Sequence, residues 1–227
     1  MSVSRRKFFQ NVGMSGAGLL TTSFIVGRGR EAMAFEGAEQ AASAVFDDGF
    51  IRISSNENAR GPGKSTITAL HNAISPRNGG GYPPDNMNQL GQTIADFYKV
   101  NRDRVIMGTG SGPILEAATR AYCAADKALV SAAPSYATCE QTARRMGAPV
   151  KLVPVDKSLG LDLDAMATAA NGAGMVYICN PNNPTGTVHN AANIEKFVRK
   201  VKQSSPNTAI LLDEAYIDYT HDNNVKT

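Results

Sequence analysis

The sequence has few cysteines, which restricts the ways in which this chain could be cross-linked or bind a metal. Its 227 residues include three, Cys123, Cys139 and Cys179. They are too few and too scattered for a disulfide framework, and their spacing is not that of a metal site. Each has apolar neighbours, so we expect buried structural thiols and no metal centre.

A strong excess of one charge is also absent outside the amino terminus. The formal net charge is +3, but residues 1–34 hold five of the 23 basic residues and one of the 20 acidic residues. The remainder has 18 basic and 19 acidic residues, a net charge of −1. Nothing in this balance indicates a nucleic-acid partner. The apolar content, 42%, is sufficient for one sizeable core.

The amino terminus has the three parts of a secretory leader. A basic start containing Arg5 and Arg6 precedes an uncharged stretch, residues 11–27, and then a small-x-small Ala-Met-Ala sequence ending at Ala34. The paired arginines resemble a twin-arginine signal. The uncharged stretch is too short and too weakly apolar for a stable membrane span. We expect residues 1–34 to be a twin-arginine signal peptide, either cleaved or retained as an anchor, and the protein to be periplasmic or otherwise exported.

After residue 103 short apolar segments alternate with helical patterns. The predicted strands are Val105–Gly108, Ala128–Ala132, Val150–Pro154, Met175–Cys179 and Ala209–Asp213. The predicted helices are Met87–Lys99, Pro113–Ala124, Tyr136–Met146, Leu163–Ala170 and Ala191–Gln203. The strands are apolar with little alternation, which is typical of a parallel sheet covered by helices on both faces. The sequence therefore predicts an α/β fold.

Two of the predicted strands end in distinctive polar residues. The first leads into Asn-Pro-Asn-Asn-Pro-Thr-Gly at 180–186, and the second leads into Asp-Glu-Ala-Tyr at 213–216. Ligands bind at the carboxyl ends of the strands in open α/β sheets. We therefore expect Asn183, Asp213 and Tyr216 to meet over one cofactor.

This pair of segments resembles the asparagine loop and the aspartate strand of fold-type I pyridoxal-phosphate (PLP) aminotransferases. It is most similar to the histidinol-phosphate aminotransferase branch, and the similarity runs from about Arg52 to Tyr219. The resemblance implies a PLP-dependent transferase-like three-layer α/β/α sandwich with a mainly parallel sheet, incomplete at its carboxyl end. It also implies that residues 35–75 are the amino-terminal segment of the small domain and that residues 76–227 are the amino-terminal part of the large, PLP-binding domain.

The resemblance also assigns contacts to the ring of PLP. The Asp213 carboxylate would lie beside the pyridine nitrogen, where a negative charge favours the protonated ring. The Asn183 amide and the Tyr216 hydroxyl would donate hydrogen bonds to the phenolic oxygen. Tyr136, in a Pro-Ser-Tyr segment after a predicted strand, would stack on the ring face. The alternative for Tyr136 is a core tyrosine.

A glycine-rich segment, residues 108–112, lies between a predicted strand and a predicted helix. Small residues let the backbone approach an anion, and a helix amino terminus favours negative charge. By the resemblance, Ser111 and Gly112 would bind the phosphate of PLP. The histidinol-phosphate branch usually has an acidic residue where Gly112 stands. Pro113 occupies the place of the third glycine of a dinucleotide fingerprint, and a plain turn is the alternative.

Two earlier segments extend the resemblance. Tyr82 belongs to a Tyr-Pro-Pro-Asp segment similar to one that reaches the phosphate of the partner subunit, which implies a homodimer with Tyr82 acting in trans. Asn58 belongs to a segment similar to the substrate-side segment of the family. The family usually has Pro-Leu where Ala59 and Arg60 stand. The alternatives are a tyrosine in an ordinary loop and an arginine in solvent.

The family's Schiff-base lysine follows the aspartate strand, and no matching Ser-Lys turn occurs before Thr227. Lys202 lies on a predicted helix before that strand, and Lys226 lies in a polar tail after it. We therefore expect this chain to be the amino-terminal portion of a longer enzyme and to be inactive alone. The intact enzyme would be a PLP-dependent aminotransferase with small-molecule amine and 2-oxo acid substrates, the amine being an amino acid or a histidinol-phosphate-like compound.

Three alternatives stay open at this point. One is a non-catalytic fragment with a PLP-enzyme fold, and another is a carbon–sulfur lyase or racemase on the same scaffold. The third is a nucleotide hydrolase, because residues 61–65 resemble the end of a P-loop and residues 210–214 resemble a Walker B strand. A P-loop requires glycine where Asn58 stands, and Pro62 removes an N–H from a cradle built of N–H groups.

Changing Arg5 and Arg6 together to lysine should hold the precursor in the cytoplasm, because the export receptor reads the arginine pair as an address. Cell fractionation with a reporter fused after Ala34 measures the effect, and the unchanged leader is the control. Export of the double variant at the unchanged level would contradict the twin-arginine assignment.

Overall fold

The computed structural model describes residues 55–56, 61–75, 86–220 and 224–225. The chain divides into two compact units, Met1–Tyr82 and Pro83–Thr227, and each is described by itself. The described part of the first unit contains helix α1, Lys64–Ala73, which begins directly after Gly63. The sequence patterns did not predict this helix. Of the helices within the described ranges, none is long and apolar enough to cross a membrane.

The second unit alternates helices and strands. Its helices are α2 Asn86–Tyr98, α3 Gly112–Tyr122, α4 Thr138–Arg145, α5 Leu163–Ala169 and α6 Ala191–Ser204. Its strands are β1 Leu129–Ala133, β2 Val150–Pro154, β3 Met175–Cys179 and β4 Ala209–Asp213. Short 3-10 helices span Arg102–Arg104 and Ile217–Tyr219. All five predicted helices and four of the five predicted strands are confirmed, within two residues at each end.

The four strands form one parallel sheet in the order β2-β1-β3-β4. One face packs against α3 and α4 through a cluster that includes Leu115, Cys139 and Tyr177. The other face packs against α5 and α6 through a larger cluster that includes Met166 and Phe197. β3 is buried along its whole length, as expected for a strand covered on both faces. The predicted α/β/α layering is confirmed.

The order of the strands places a topological switch point between β1 and β3. From β1 the chain passes through α4 to β2, which lies on one side of β1, and from β3 it passes through α6 to β4, on the opposite side. The two connections therefore leave neighbouring strands in opposite directions and cover opposite faces of the sheet. Such a switch point at the carboxyl edge is where open α/β sheets bind their ligands.

The strand predicted at Val105–Gly108 is wrong. The Val105 backbone is extended, with φ −103° and ψ 113°, but its N–H bonds to the Arg102 carbonyl. Its own carbonyl accepts a hydrogen bond of 2.9 Å from the Arg102 guanidinium. Ile106 is 80% exposed. An apolar run becomes a strand only when a neighbouring strand pairs with its backbone, and no strand in the described part of the chain pairs here.

Close packing at the amino end of β3 gives a test of the fold. A Cβ added at Gly174 would overlap the Tyr122 carbonyl oxygen, which is backbone and has little freedom to move. Gly174→Ala should therefore lower the free energy of unfolding by about 1–3 kcal/mol, the usual cost of overpacking. The urea midpoint measures this loss.

Gly112→Ala is the matched control, because a Cβ there meets nothing within 4 Å and alanine suits the first turn of a helix. An unchanged midpoint for Gly174→Ala would contradict the packing described at this end of β3.

Candidate functional site

The loops that follow β1, β3 and β4 are joined by side-chain hydrogen bonds. Ser135 Oγ donates to Asn182 Oδ1 at 2.8 Å, and Asn182 Nδ2 donates to the Pro134 carbonyl at 3.1 Å. Asn183 Nδ2 donates to the Tyr216 hydroxyl at 3.2 Å. The asparagine loop after β3 is thus tied on one side to the loop after β1 and on the other to the segment after β4.

The asparagine loop also has a dense set of internal hydrogen bonds. Asn180 is buried, and its side chain bonds both the N–H and the carbonyl of His189, at 2.8 and 3.0 Å. The Asn182 N–H donates to the Thr187 carbonyl at 2.9 Å, and its carbonyl accepts from the Gly186 N–H at 2.7 Å. An amide side chain can donate and accept at once, so these asparagines fix the loop and leave Asn183 only half-buried at its centre.

Asp213, the last residue of β4, is a buried carboxylate with two protein donors. It is 8% exposed. Its Oδ2 accepts a 2.8 Å hydrogen bond from the Tyr177 hydroxyl, and its Oδ1 accepts a 3.1 Å bond from the Ala215 N–H. No lysine, arginine or histidine of the described residues forms an ion pair with it.

Tyr177 is the donor because its own environment keeps it protonated. It is 1% exposed, and burial, together with the nearby thiol of Cys179 and carboxylate of Asp213, holds the pKa of this phenol far above its ordinary value. The register of the sheet brings the pair together. Cys179 is opposite Asp213, and alternate residues of a strand face the same side, so Tyr177 and Asp213 both face α3 and α4.

The amino terminus of α3 supplies a second polar feature. Gly110 has φ +80°, and its N–H bonds to the Gly108 carbonyl at 3.0 Å, which closes a tight turn before the helix. The Ser111 side chain, at the N-cap, makes no capping hydrogen bond. Leu115, one turn later, lies in the buried cluster that also contains Tyr177. Uncapped N–H groups and an exposed serine are suited to binding an anion.

The structure brings together some of the residues predicted for the site. Asn183 and Tyr216 are hydrogen-bonded, and Asn183 follows the strand that pairs with the strand ending at Asp213. Tyr136 follows the loop after β1 and is 41% exposed. Ser111 and Gly112 begin α3. The predictions for Tyr82 and Asn58 lie outside the described residues.

Sequence reasoning missed Tyr177, Ser135 and Asn182. Tyr177 was read as one residue of an apolar strand, although a phenol two residues before the residue paired with Asp213 must share its face. Ser135 lies in the Pro-Ser-Tyr segment and Asn182 lies in the asparagine loop, but the hydrogen bond between them depends on the order of the strands. That order is not visible in a linear sequence.

Lys202 is at the wrong end of the sheet to serve this site. Its Nζ donates to the carbonyls of Pro206 and Thr208, at 3.1 and 2.6 Å. Thr208 immediately precedes β4, so these contacts are at the amino edge, whereas Asp213 is at the carboxyl edge. Lys226 lies outside the described residues.

All three cysteines are buried and unpaired by disulfides, as predicted. Burial raises the pKa of the Cys139 thiol to about 11 and also raises the pKa values of Cys123 and Cys179. A raised pKa keeps a thiol neutral and unreactive at neutral pH. Within the described ranges, no group of three His, Cys, Asp or Glu side chains is placed to bind a metal ion.

Comparison with known proteins assigns the chain to a family. Residues 48–226 match the family described as aminotransferase class I and II. The histidinol-phosphate aminotransferase of Limosilactobacillus fermentum is 35% identical over 173 residues, which are 75% of this chain and 47% of that protein. The chain therefore spans about half the length of the curated relatives it matches.

Two solved structures share the fold. The histidinol-phosphate aminotransferase from Clostridium acetobutylicum superposes with a TM-score of 0.64 at 29% identity, covering 76% of this chain and 49% of that chain. The histidinol-phosphate aminotransferase from Sinorhizobium meliloti, solved in complex with pyridoxal-5'-phosphate, gives a TM-score of 0.69 at 22% identity, covering 92% of this chain and 53% of that chain.

Proposed function

The chain belongs to the class I and II aminotransferase family, and from this membership we propose that the intact protein is a PLP-dependent aminotransferase. Its substrates are a small-molecule amine, either an amino acid or a histidinol-phosphate-like compound, and a 2-oxo acid. Relatives about one-third identical to this chain are named histidinol-phosphate aminotransferases, which supports an amine of that kind. The family match leaves no role for the nucleotide-hydrolase alternative.

The buried carboxylate of Asp213 is the observation that carries this proposal. An ionised group with no cationic partner is costly to bury, by several kcal/mol. The hydroxyl and N–H donors on its two oxygens offset part of that cost, but neither supplies positive charge. A protonated pyridine nitrogen would supply it, and it would bind at the carboxyl edge of the sheet, where Asp213 ends β4.

The neighbouring residues have the chemistry that the rest of the ring requires. When bound, PLP serves as an electron sink for carbanions. The amide of Asn183 and the hydroxyl of Tyr216, already in contact, are donors for its phenolic oxygen. Tyr136, in the loop after β1, is 41% exposed, and its ring is suited to stacking on the cofactor ring and excluding water from one side of it.

The turn before α3 is suited to the phosphate. Ser111 and Gly112 offer a hydroxyl and backbone N–H groups at a helix amino terminus, where negative charge is favoured. Gly112 has no side chain that would restrict the approach of the ligand, and the space beside it is open. A phosphate bound there would be held by the Ser111 hydroxyl and by backbone dipoles.

Export and dimerisation are further parts of the proposal. The leader in residues 1–34 supports action outside the cytoplasm, through the twin-arginine route, with the cofactor bound before export because that route carries folded proteins. The Tyr82 segment supports a homodimer in which Tyr82 reaches the phosphate of the other subunit, and the Asn58 segment supports contact with the substrate. A periplasmic location argues against a routine role in histidine biosynthesis, whose intermediates are cytosolic, so the proposed amine is an amino acid or a compound that resembles histidinol phosphate.

Replacing Asp213 by alanine should remove most of the activity of the intact enzyme and weaken PLP binding about 10- to 150-fold. This is the loss expected when one charge-assisted hydrogen bond, about 1.5–3 kcal/mol, disappears. Titration of the apoprotein with PLP, followed by visible absorption, measures the affinity.

The control is Asp126→Ala, which removes an exposed carboxylate on the turn before β1. An Asp213→Ala protein that binds PLP as tightly as the control, or an unchanged protein that ignores PLP and hydrolyses ATP, would contradict the proposed function.

Residues 1–227 alone should not transaminate, because covalent catalysis requires a lysine amine at the cofactor and Lys202 is held at the opposite edge of the sheet. The chain should still bind PLP weakly and without a covalent bond. Borohydride reduction of the PLP-loaded chain, followed by peptide mapping, distinguishes the two states. A single specific pyridoxyl-lysine, for example at Lys226, accompanied by turnover, would refute this expectation.

A further inference from the structure

We propose that Tyr177 is a positioning residue: through its hydrogen bond to Asp213 it aims that carboxylate at the ring nitrogen of the cofactor. The inference rests on the proposed function and adds a residue that acts through Asp213. It starts from a buried tyrosine hydroxyl that bonds a buried carboxylate at 2.8 Å across two neighbouring strands.

The geometry gives each donor a separate oxygen of the same carboxylate. Tyr177 bonds Oδ2, and the Ala215 N–H bonds Oδ1. With both oxygens held, rotation about the last torsion of the Asp213 side chain breaks at least one hydrogen bond. A carboxylate held by one donor alone would be free to turn. Fixing its plane matters because a hydrogen bond weakens steeply when donor and acceptor are misaligned.

Packing also holds the hydrogen-bond donor, the Tyr177 phenol, in place. Tyr177 is 1% exposed and lies in a cluster with Leu115, Cys139 and Cys179. Cores are close-packed and their side chains occupy defined rotamers, so the phenol has a single direction in which to point. The backbones are also coupled, since β3 and β4 pair from Met175 opposite Ala209 to Cys179 opposite Asp213.

Stability of the fold alone does not call for this pair. The other β3 residues on the same face, Met175 and Cys179, are apolar or nearly so, and a phenylalanine at position 177 would fill the same volume without an O–H. A buried polar pair replaced by apolar groups of similar shape is often neutral or stabilising. The Tyr177 hydroxyl is explained if the Asp213 carboxylate must point at a ring nitrogen in one direction.

The test compares two ligands that differ only at the ring nitrogen. The probes are pyridoxamine 5'-phosphate, which has no aldehyde and forms no imine with surface lysines, and its analogue with C–H in place of the nitrogen. Their affinities for residues 1–227 are measured by calorimetry. The unchanged chain should prefer the nitrogen ligand by about 10-fold or more, the value of one charge-assisted hydrogen bond.

Tyr177→Phe should reduce this preference at least threefold and leave the affinity for the carbon analogue unchanged. Asp213→Asn should abolish the preference, and Tyr177→Phe should have no further effect in that background, because residues that act through one interaction are not additive. Tyr122→Phe removes the hydroxyl of an exposed tyrosine and should retain the full preference.

The possible results separate this inference from the proposed function. If the unchanged chain shows no preference, or binds neither ligand, both fail. If Asp213→Asn abolishes the preference but Tyr177→Phe retains it, or weakens both ligands equally, the positioning role is overturned and the proposed function stands. Should Tyr177→Phe not fold while Tyr122→Phe does, the hydroxyl is required for stability and the positioning role is overturned.

Discussion

A buried carboxylate without a cation is the constraint on which this site depends. Asp213 ends β4, the outermost strand of the sheet in the described part of the chain, yet it is only 8% exposed. Its burial is tolerable because both oxygens accept hydrogen bonds, one from the backbone and one from Tyr177. In the proposed function, a cationic ring nitrogen bound beside Asp213 would offset the remaining electrostatic cost.

The topology of the sheet places the other polar groups around that carboxylate. The chain leaves β1 and β3 in opposite directions, which makes their carboxyl ends the switch point of the sheet. Ser135 and Asn182 form a hydrogen bond across this switch point, and Asn183 bonds to Tyr216 beyond β4. Three loops from three strands thus form one connected surface whose hydrogen bonds are largely made before any ligand arrives, which reduces the entropic cost of binding.

The sequence was sufficient to predict the sheet, its covering helices and the proximity of Asn183 and Tyr216, for a physical reason. Continuous apolar runs identify strands buried on both faces, and the residues that follow them are at the carboxyl edge by construction. Asn183, Asp213 and Tyr216 could therefore be selected together. Tyr177 could not, because its role depends on the register between β3 and β4, which linear patterns leave open.

The two errors in the predicted secondary structure also have local causes. Residues 105–108 have the composition of a strand, but the Arg102 side chain donates a hydrogen bond to the Val105 carbonyl, and Ile106 is exposed. The sequence leaves helix α1 unpredicted because a Gly-Pro-Gly turn that resembles the end of a phosphate-binding loop precedes it. In both cases a short segment was judged by composition, whereas its state depends on which groups bond its backbone.

The protonation state of the ring nitrogen tests the central claim most directly. Pyridoxamine phosphate labelled with 15N in the ring is bound to the chain, and its nitrogen resonance is recorded at a pH where the free ligand's ring is unprotonated. The account predicts a protonated nitrogen in the complex with the unchanged chain and an unprotonated one with Asp213→Asn, because an adjacent carboxylate favours the charged ring. An unprotonated nitrogen in the unchanged complex would contradict the role of Asp213.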